Sequence, residues 1–372
     1  MPNLRSLAVQ PPIKPMLAKL ADRLPEGTTC AFEPKWDGFR AIVFRSARDV
    51  FIQSRDGRPF VRYFPDLHEA FLRHLPNNCV LDGEIVIATA KGLDFDALQL
   101  RLHPAKSRVI MLADKAPASY VAFDILQRGP HNLMGWVQKE RRQALEALLA
   151  HAGPPVFVTP CTQNRALAQE WLERFEGAGL DGVIAKDTES FYQPGKRAMI
   201  KVKHVRTAEC VVGGFRWHKS GSHAIGSLLL GLYDEHGVLQ HVGVTSAFTM
   251  AMRRALVAEL ASLRRGAIVN HPWVAQRLSD DQAERRIPGA PSRWSANKDL
   301  SWEPVRIERV CEVKYDHLQG NRFRHAAMFL RWRLDKSPRE CRYDQLEVAA
   351  PYELKKVFGE SGHRSSAAER LT

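Results

Sequence analysis

The sequence lacks several features that would assign it to other classes of protein. Its six cysteines form no CxxC pair and have no zinc-ligand spacing, which argues against a zinc module and a disulfide framework. No stretch approaches the ~20 apolar residues of a membrane helix. Residues 1–20 contain four prolines and no continuous apolar core, unlike a signal peptide. We therefore expect a reduced, cytoplasmic protein that does not enter a membrane.

Acidic residues are scarce relative to basic ones. The 372 residues include 54 Lys and Arg against 41 Asp and Glu, which gives a formal net charge of +13. This excess is typical of nucleic-acid binders, although a charged surface also serves solubility. A hydrophobic content of 45% and a charged content of 26% are those of a soluble globular protein. The length allows two or three domains.

A lysine near the start of the chain is confined in a tight turn. Residues 33–40 read Glu-Pro-Lys-Trp-Asp-Gly-Phe-Arg and lie between two apolar, strand-like segments. Pro34 and the Asp-Gly pair set the bend that presents Lys35. An ammonium is a poor nucleophile at its free pKa of about 10.4, but a nearby cation such as Arg40 favours the neutral amine. The alternative is a surface lysine in an ordinary turn.

Two acids share one face of a strand predicted over 79–88. Period-two alternation places Asp82 and Glu84 together, with Gly83 between them. Such a pair can hold a divalent cation or a ribose hydroxyl, or it can face solvent. The glycine favours a close backbone approach at this point.

Aromatic and basic side chains occupy two later predicted strands. Phe123, in a buried strand over 119–126, could stack on a base or belong to the core. Lys201 and Lys203 share one face of the strand predicted over 198–204 and suit a phosphate chain. A solvated edge strand protected by lysines is the alternative.

A change in character after residue 204 marks a predicted domain boundary. Residues 1–206 mix helical and strand patterns and are expected to form antiparallel sheets with helices. Residues 207–350 contain short β segments and one helix, which fits a closed barrel of the OB type. Residues 351–372 turn polar and are predicted to be a mobile tail. The predicted fold class is therefore α+β.

Periodicity and turn residues predict the individual elements. In the first domain, helices are predicted over 65–75, 98–108, 138–150 and 167–176. In the barrel, a helix is predicted over 249–264 and strands over 208–217, 227–233, 238–245, 300–307, 310–318 and 323–333. Basic and aromatic residues interleave at 215–219 and 322–325, which suits a nucleic-acid backbone. The basic loop Arg285–Trp294 either adds to that contact or is a solvated linker.

Taken together, these elements resemble the covalent nucleotidyltransferases, which include ATP-dependent DNA ligases, RNA ligases and mRNA capping enzymes. Residues 35–40 match their KxDGxR signature, and the later matches follow in the family's order. These are Ser54-Arg55-Asp56-Gly57, Leu81-Asp82-Gly83-Glu84, Phe123-Asp124, Asp181 to Lys186 as (E/D)GxxxK, Met199 to Lys203 as KxK, and Arg333-Leu334-Asp335-Lys336 as RxDK. The resemblance extends over 13–345, and the run 213–233 is most similar to the bacterial ligase C group.

The resemblance implies a repair enzyme that seals nicks in duplex DNA in three steps. Lys35 attacks the α-phosphate of ATP and forms a lysyl-AMP, AMP passes to the nick 5′-phosphate, and the 3′-OH displaces AMP. Asp335 and Lys336 would assist catalysis from the barrel. The implied ATP-contacting residues are Glu33, Arg40, Arg55, Glu84, Phe123, Lys186, Lys201, Lys203 and Arg333. Of these, Arg40 and Arg55 would contact either the ribose or the nick 5′-phosphate. Glu84 and Asp181 would bind Mg²⁺ or Mn²⁺, although many relatives carry glutamate in place of Asp181.

The same resemblance implies partners and location. Nicked duplex DNA is the expected macromolecular substrate, and a bacterial repair primase or other repair proteins are further expected partners. The ligase would act as a monomer in the bacterial cytoplasm, at the nucleoid.

Three alternatives remain open at this point. An RNA ligase and a GTP-using capping enzyme share the KxDGxR and KxK motifs, but the RxDK motif and the ligase C-like run favour a DNA ligase. A DNA-binding scaffold without activity would not need the intact residues Lys35, Glu84, Lys201 and Lys203.

Overall fold

The computed structural model describes residues 3–89, 92–203, 206–277, 288, 299–316, 318–346 and 357. The chain divides into two compact units, Met1–His204 with Ala349–Thr372, and Val205–Val348. Apart from Pro288 and Val357, the predicted loop at 285–294 and the predicted tail at 351–372 lie outside the described residues. Within the described residues, no helix has both the length and the apolar character needed to cross a membrane.

The described part of the first unit contains twelve strands and five α-helices. Its strands are β1 (Leu17–Ala21), β2 (Cys30–Pro34), β3 (Phe39–Arg45), β4 (Val50–Ser54), β5 (Cys79–Val86), β6 (Ala88–Thr89), β7 (Gly92–Leu93), β8 (Ser119–Arg128), β9 (His131–Asn132), β10 (Val156–Val158), β11 (Val183–Asp187) and β12 (Arg197–Val202). Its α-helices are α1 (Pro65–His74), α2 (Phe95–Leu100), α3 (Lys106–Lys115), α4 (Gln138–Leu149) and α5 (Arg165–Arg174).

Two main sheets organise this unit. One has the strand order β1-β12-β11-β2, and the other has the order β10-β8-β5-β3-β4, with β9 added to β8. Most pairs are antiparallel, as predicted, but β1 runs parallel to β12 and β8 runs parallel to β10. Alternate residues of β3 serve two cores. Ile42 packs with Met199 of the other sheet, whereas Val43 packs with Leu67 of α1 and Leu145 of α4.

The helix predicted over 98–108 is wrong in its bounds. The chain forms two helices there, because α2 ends at Leu100 and α3 begins at Lys106. Pro104 lies between them and disfavours helical backbone in the residue before it. Asp94 starts α2 by accepting a hydrogen bond from Ala97 N at 2.8 Å, a capping signal that precedes the predicted range.

The second unit is built on a five-stranded sheet. Its described elements are β13 (Arg206–His218), β14 (Gly221–Tyr233), β15 (Leu239–Thr245), α6 (Met250–Arg264), α7 (Pro272–Arg277), β16 (Glu303–Tyr315), β17 (Leu318–Gln319), β18 (Arg322–Phe323) and β19 (Met328–Trp332). The strand order is β15-β14-β13-β16-β19. Thr245 bridges to Ala327, whose N–H donates to Val244 O at 2.8 Å. This contact joins the two edges of the sheet and closes the predicted OB-type barrel.

Two regions of the barrel differ from the prediction. The strand predicted over 323–333 is divided, because β18 ends at Phe323 and β19 begins at Met328. The segments predicted as separate strands over 300–307 and 310–318 form a single strand, β16, that pairs with β13 along its length. A bulge between Val212 and Gly214 absorbs the irregularity in that pairing. Arg309 pairs with Val212 and Pro304 pairs with Gly214, so Glu308 lies at the bulge, and the strand continues past it.

Candidate active site

Three neighbouring strands have their ends at one edge of the four-stranded sheet, where β2 and β12 end and β11 begins. Strand β11 pairs with β2 and β12, so that Val183 lies opposite Pro34 on one side and Val202 on the other. The chain continues from Pro34 into Lys35, and from Val202 into Lys203. The register of the sheet thus brings together two lysines that are distant in sequence.

Asp181 is the carboxylate that joins these two lysines. Its Oδ2 accepts a hydrogen bond from Lys35 Nζ and lies 3.0 Å from Lys203 Nζ. Backbone bonds fix the pair, because Lys35 N donates to Gly182 O and Asp181 N donates to Lys35 O, both at 2.8 Å. Burial would raise the pKa of Asp181, but the two ammonium groups outweigh burial and hold that pKa below its usual value. Asp181 is therefore ionised beside the candidate nucleophile.

Two glycines allow the backbones around this pair to approach closely. A Cβ on Gly38 would lie 2.1 Å from Ile85 O, and a Cβ on Gly182 would lie 2.1 Å from Val202 O. Gly182 also has a φ of +125°, which L side chains rarely adopt. The Asp-Gly steps at 37–38 and 181–182 are thus required by packing as well as by turn geometry.

Lys35 lies where the chain crosses from one sheet to the other. Strand β2 belongs to the four-stranded sheet and β3 to the other main sheet, so the turn is not a hairpin. Trp36 anchors the crossing, because it is buried and its Nε1 donates to Thr159 Oγ1 at 2.8 Å. The Lys35 side chain keeps 21% exposure, which leaves its amine accessible. This ion-paired position differs from that of an ordinary surface lysine.

Lys201 and Arg55 extend the positive charge around Lys35. Burial lowers the pKa of Lys201, and the charges of Lys35, Lys203 and Arg55 lower it further, while Asp181 opposes them. These groups therefore act on one another electrostatically. We refer to Lys35, Lys201 and Lys203 as the lysine cluster, whose excess charge suits a polyphosphate.

Asp82 binds Arg40 tightly within the protein. Arg40 Nε lies 3.0 Å from Asp82 Oδ1, and Arg40 Nη2 lies 2.6 Å from Asp82 Oδ2. Tyr192 Oη also donates to Asp82 Oδ2, at 2.7 Å. Burial would lower the pKa of Arg40, but Asp82 outweighs burial and raises it. Arg40, predicted to contact ATP, is thus held in place by a buried carboxylate that the prediction had grouped with Glu84.

Glu84 has a different environment from Asp82. Burial raises the pKa of Glu84 to about 7, although Lys35 and Arg40 act to lower it. A divalent cation would offset that burial cost. Among the described residues no group of three or more His, Cys, Asp or Glu side chains could hold a metal ion. Glu84 and Asp181 both act on Lys35, and a cation bound by these two carboxylates alone would take its other ligands from phosphate oxygens and water.

Phe123 lies in a β-bulge. The pairing of β8 with β5 passes from Ala122 to Asp124 and leaves Phe123 as the extra residue, an arrangement that re-aims a side chain. Arg40 Cζ and Lys186 Nζ each lie 5.1 Å from the centre of its ring. The ring is partly exposed, so Phe123 is not a plain core residue.

Glu33 and Lys186 form a buried ion pair that the sequence did not predict. Each is 2% exposed, and Lys186 Nζ lies 2.8 Å from Glu33 Oε2. Lys186 Nζ also donates to Phe123 O at 2.7 Å, while Arg142 Nη1 lies 3.6 Å from Glu33 Oε1. The pair thus supports the backbone of the bulge that presents Phe123.

The RxDK residues of the second unit form their own cluster. Arg333 Nε and Nη2 bind Asp335 at 2.9 and 2.8 Å, and this contact lowers the pKa of the Asp335 carboxyl to about 2. Arg333 and Lys336 both bind Glu209 of β13. Glu209 was not predicted, and its signal is an acid within the otherwise apolar run 208–213.

Two family models match the chain. The "ATP dependent DNA ligase domain" matches residues 15–203, and the "ATP dependent DNA ligase C terminal region" matches residues 221–336. The chain belongs to the ATP-dependent DNA ligase family. The ligase is 54% identical to DNA ligase C2 of Mycolicibacterium smegmatis over 343 residues, which covers 92% of this chain and 96% of that protein. It is 53% identical to DNA ligase C of Mycobacterium tuberculosis over 346 residues, with 92% and 95% covered.

These similarities confirm the predicted family, its C type and the enzyme class. A solved Lig E DNA ligase matches the ligase with a TM-score of 0.54 and 19% identity, covering 86% of this chain and 99% of that one, which supports the fold alone. The predicted α+β fold, a nucleotidyltransferase domain followed by an OB domain, is confirmed. The ligase seals nicks in duplex DNA and uses ATP with a divalent metal.

Proposed function

We propose that Lys35 is the nucleophile of the ligase and becomes bonded to AMP. Its Nζ attacks the α-phosphorus of ATP, a phosphorus–nitrogen bond forms, and pyrophosphate leaves with the electron pair of the broken phosphorus–oxygen bond. The observation that carries this proposal is the contact of one Asp181 oxygen with both Lys35 and Lys203. That contact places an accessible amine beside a second cation at the end of a rigid sheet.

The lysine cluster supplies what phosphoryl transfer requires. The reaction depends mainly on positioning and on neutralising phosphate charge. Lys201 and Lys203 neutralise the α-phosphate, while Asp181 orients Lys35 and is the nearest carboxylate to which its proton can pass. The orienting role is supported by the lowered pKa of Asp181, which keeps the carboxylate ionised.

Other residues of the first unit bind ATP in this proposal. Phe123 stacks on adenine, and the buried pair of Glu33 and Lys186 holds the backbone beside that ring. Glu84 contacts the ribose and, with Asp181, binds Mg²⁺ or Mn²⁺. The metal ion supplies charge stabilisation at the phosphates. Arg40 is held by Asp82 and orients the adenosine side of the site.

The later steps use the same site on DNA. AMP passes from Lys35 to the 5′-phosphate of the nick, and the nick 3′-OH then attacks that phosphate and releases AMP. Arg55, which acts electrostatically on Lys201, binds the nick 5′-phosphate. In the first step, Arg333, Asp335 and Lys336 act from the second unit, where Lys336 orients the departing pyrophosphate.

We further propose the biological setting. Residues 1–206 are the nucleotidyltransferase domain and residues 207–350 the OB domain of a monomer that acts in bacterial DNA repair at the nucleoid. A repair primase or another repair protein is a partner. The net charge of +13 supports residence on DNA.

The direct test follows AMP onto the protein. Wild type and Lys35→Ala are incubated with α-labelled ATP or GTP and a divalent ion. Label is then detected on a denaturing gel, and the mass of the intact protein is measured by mass spectrometry. We expect label from ATP and not from GTP, on the wild type and not on Lys35→Ala. Lys106→Ala, on an exposed position of α3, is the control and should label normally. Label on Lys35→Ala would overturn the assignment of the nucleophile.

A second assay separates loss of the nucleophile from loss of the fold. A nick that already carries 5′-AMP needs no lysyl-AMP, so Lys35→Ala should still seal it. Comparing DNA with RNA at the 3′-OH side of that nick also separates a DNA ligase from an RNA ligase. Complete loss of sealing by Lys35→Ala would mean that the variant is misfolded or that Lys35 is needed beyond the first step.

A further inference from the structure

Exposed basic residues surround the start of β1. They lie in three segments, residues 10–16, 55–58 and 193–197. The charged residues of these segments are Lys14, Arg55, Arg58, Lys196 and Arg197, with Asp56 as the one acid. Five positive charges less one negative charge leave a local net charge of +4.

Hydrogen bonds hold the three segments together. We call residues 10–16 the strap. Ile13 N donates to Gln53 Oε1 at 2.9 Å, and Gln53 Nε2 donates back to Ile13 O at 2.6 Å, which fixes the strap to the end of β4. Gly195 N donates to Pro15 O at 3.2 Å, which fixes the strap to the third segment.

The strap has a rigid base. Gln53 is fully buried, and Met16 is 1% exposed. Met16 N donates to Tyr192 Oη at 3.0 Å, and Tyr192 in turn binds the buried carboxylate of Asp82. The side chain of Lys14 projects from this base into solvent, next to Gly195, where a Cβ would lie 3.4 Å from Lys14 Cδ.

The cations of this surface lack acidic partners. Within the part of the chain that the structure describes, no carboxylate pairs with Lys14, Arg58 or Lys196. By contrast, two arginines of the second unit, Arg306 and Arg331, each bind a glutamate at 2.6 Å. A surface charged only for solubility interleaves both signs, so this patch fits an external polyanion.

The patch adjoins the candidate active site. Arg197 begins β12, the strand that also contains Lys201 of the lysine cluster. Arg55, which shares its turn with Arg58, acts electrostatically on the same Lys201. A DNA backbone places a negative charge at regular intervals of a few ångströms. A duplex whose nick phosphate reaches Arg55 therefore extends its next phosphates toward the neighbouring strap.

We propose that Lys14, Arg58 and Lys196 bind backbone phosphates of the duplex on the 5′-phosphate side of the nick. These contacts position the DNA without reading its sequence. The choice of side rests on the proposed function, because it depends on Arg55 binding the nick 5′-phosphate. The surface would supply a grip on duplex DNA from the nucleotidyltransferase unit itself.

The test compares two triple variants with equal loss of charge. The first is Lys14→Ala/Arg58→Ala/Lys196→Ala, which we call the strap variant. The control is Lys106→Ala/Arg108→Ala/Lys115→Ala on α3, whose helix contacts α1 on the other face of the main sheet from the strap. Each protein is first charged with AMP and then titrated with a nicked duplex that carries a 3′-dideoxy end, at several salt concentrations.

The strap variant should bind at least tenfold more weakly, and its slope of log K against log salt should fall by about 0.9 for each lost phosphate contact. The α3 variant should keep the wild-type slope to within about one such contact. Self-adenylylation without DNA should be normal in both. A wild-type slope in the strap variant would overturn the proposal.

Two further arms sharpen the result. Lys14→Arg/Arg58→Lys/Lys196→Arg keeps all three charges and should bind as the wild type does; a loss equal to that of the alanine variant would contradict phosphate binding. Shortening the duplex on the 5′-phosphate side should weaken the wild type and leave the strap variant unaffected. If shortening the duplex on the 3′-OH side weakens binding of the wild type instead, the assignment to the 5′-phosphate side would be overturned. Since these titrations measure the affinity for DNA and not which residue carries AMP, their failure is distinct from failure of the nucleophile assignment.

Discussion

Lys35 and Asp181 are joined twice, by the backbone hydrogen bond from Asp181 N to Lys35 O and by a contact between their side chains. The double link ties the orientation of the amine to the register of the first sheet. An Asp181→Asn substitution would therefore remove a negative charge that directly contacts the amine of Lys35.

Asp181→Asn should slow transfer of AMP to Lys35 by on the order of 10²-fold. The amide keeps the shape of the side chain but removes the negative charge that Lys35 and Lys203 share. Single-turnover labelling with α-labelled ATP measures the rate. Asp181→Glu keeps the charge and should retain more activity than the amide. If the asparagine variant labels as fast as the wild type, Asp181 has no role in the first step.

Lys336→Ala and Asp335→Ala should reduce self-adenylylation more than sealing of a pre-adenylylated nick. The proposed task of Lys336 is to orient pyrophosphate, which is absent from the sealing step. Glu209→Gln should show the same bias, because Glu209 binds both Lys336 and Arg333. Equal losses in both assays would argue against a first-step role.

The control for Glu209 lies directly across the sheet. Glu312 faces Glu209 in the pairing of β13 with β16 and binds Arg331 at 2.6 Å. Glu312→Gln therefore removes a comparable carboxylate without touching Lys336. It should leave the ratio of adenylylation to sealing unchanged.

His241 should make the second unit less stable in mild acid. Burial lowers the pKa of this histidine to about 3, and the charges of Arg322 and Arg216 add to the effect. The unfolded chain, with a histidine pKa near 6.5, therefore binds more protons between about pH 3 and 6.5. Stability is thus lost as the pH falls through this window, by about 1.4 kcal/mol per unit, or roughly 2 kcal/mol between pH 7 and 5.

Urea unfolding at pH 7 and pH 5 measures this effect. His241→Gln should lose less stability on acidification than the wild type does. His236→Gln is the matched control, since the His236 side chain is 79% exposed and belongs to the same unit. An unchanged pH dependence in His241→Gln would mean that another group titrates in this window.

Gly38→Ala should destabilise the first unit by about 1–3 kcal/mol and reduce self-adenylylation. The added Cβ would lie 2.1 Å from Ile85 O, and β5 cannot yield easily because β3 and β8 hold it on both sides. Gly153→Ala is the control, since a Cβ there meets nothing within 4 Å. Thermal unfolding and single-turnover labelling compare the two variants, and equal melting temperatures would contradict the packing argument.

Local patterns predicted most elements of the first unit. Alternation located β5, whose Gly83 was expected at a close backbone approach, and a Cβ there would lie 2.6 Å from the backbone oxygen of Val121. Helix α4 (Gln138–Leu149) closely matches its predicted range. These features depend on residues that are near one another in sequence, where periodicity and turn chemistry carry the information.

Pairings between distant residues could not be predicted in the same way. Asp82 and Glu84 share a strand, yet only Asp82 is bonded to Arg40 and Tyr192. The bulge at Phe123 arises from the pairing of β8 with β5 and has no mark in the local sequence. The pair of Glu33 and Lys186 likewise forms only because β2 and β11 are neighbours.

The spacing of the site in sequence has a consequence for synthesis. Lys35 leaves the ribosome 146 residues before Asp181. The sheet that positions both residues also includes β12, which ends at Val202. A nascent chain that stops short of these strands carries the reactive amine without the carboxylate that holds it. Prematurely terminated products should therefore remain inert toward the cellular nucleotide pool, and reactivity begins only when the whole first unit has been translated.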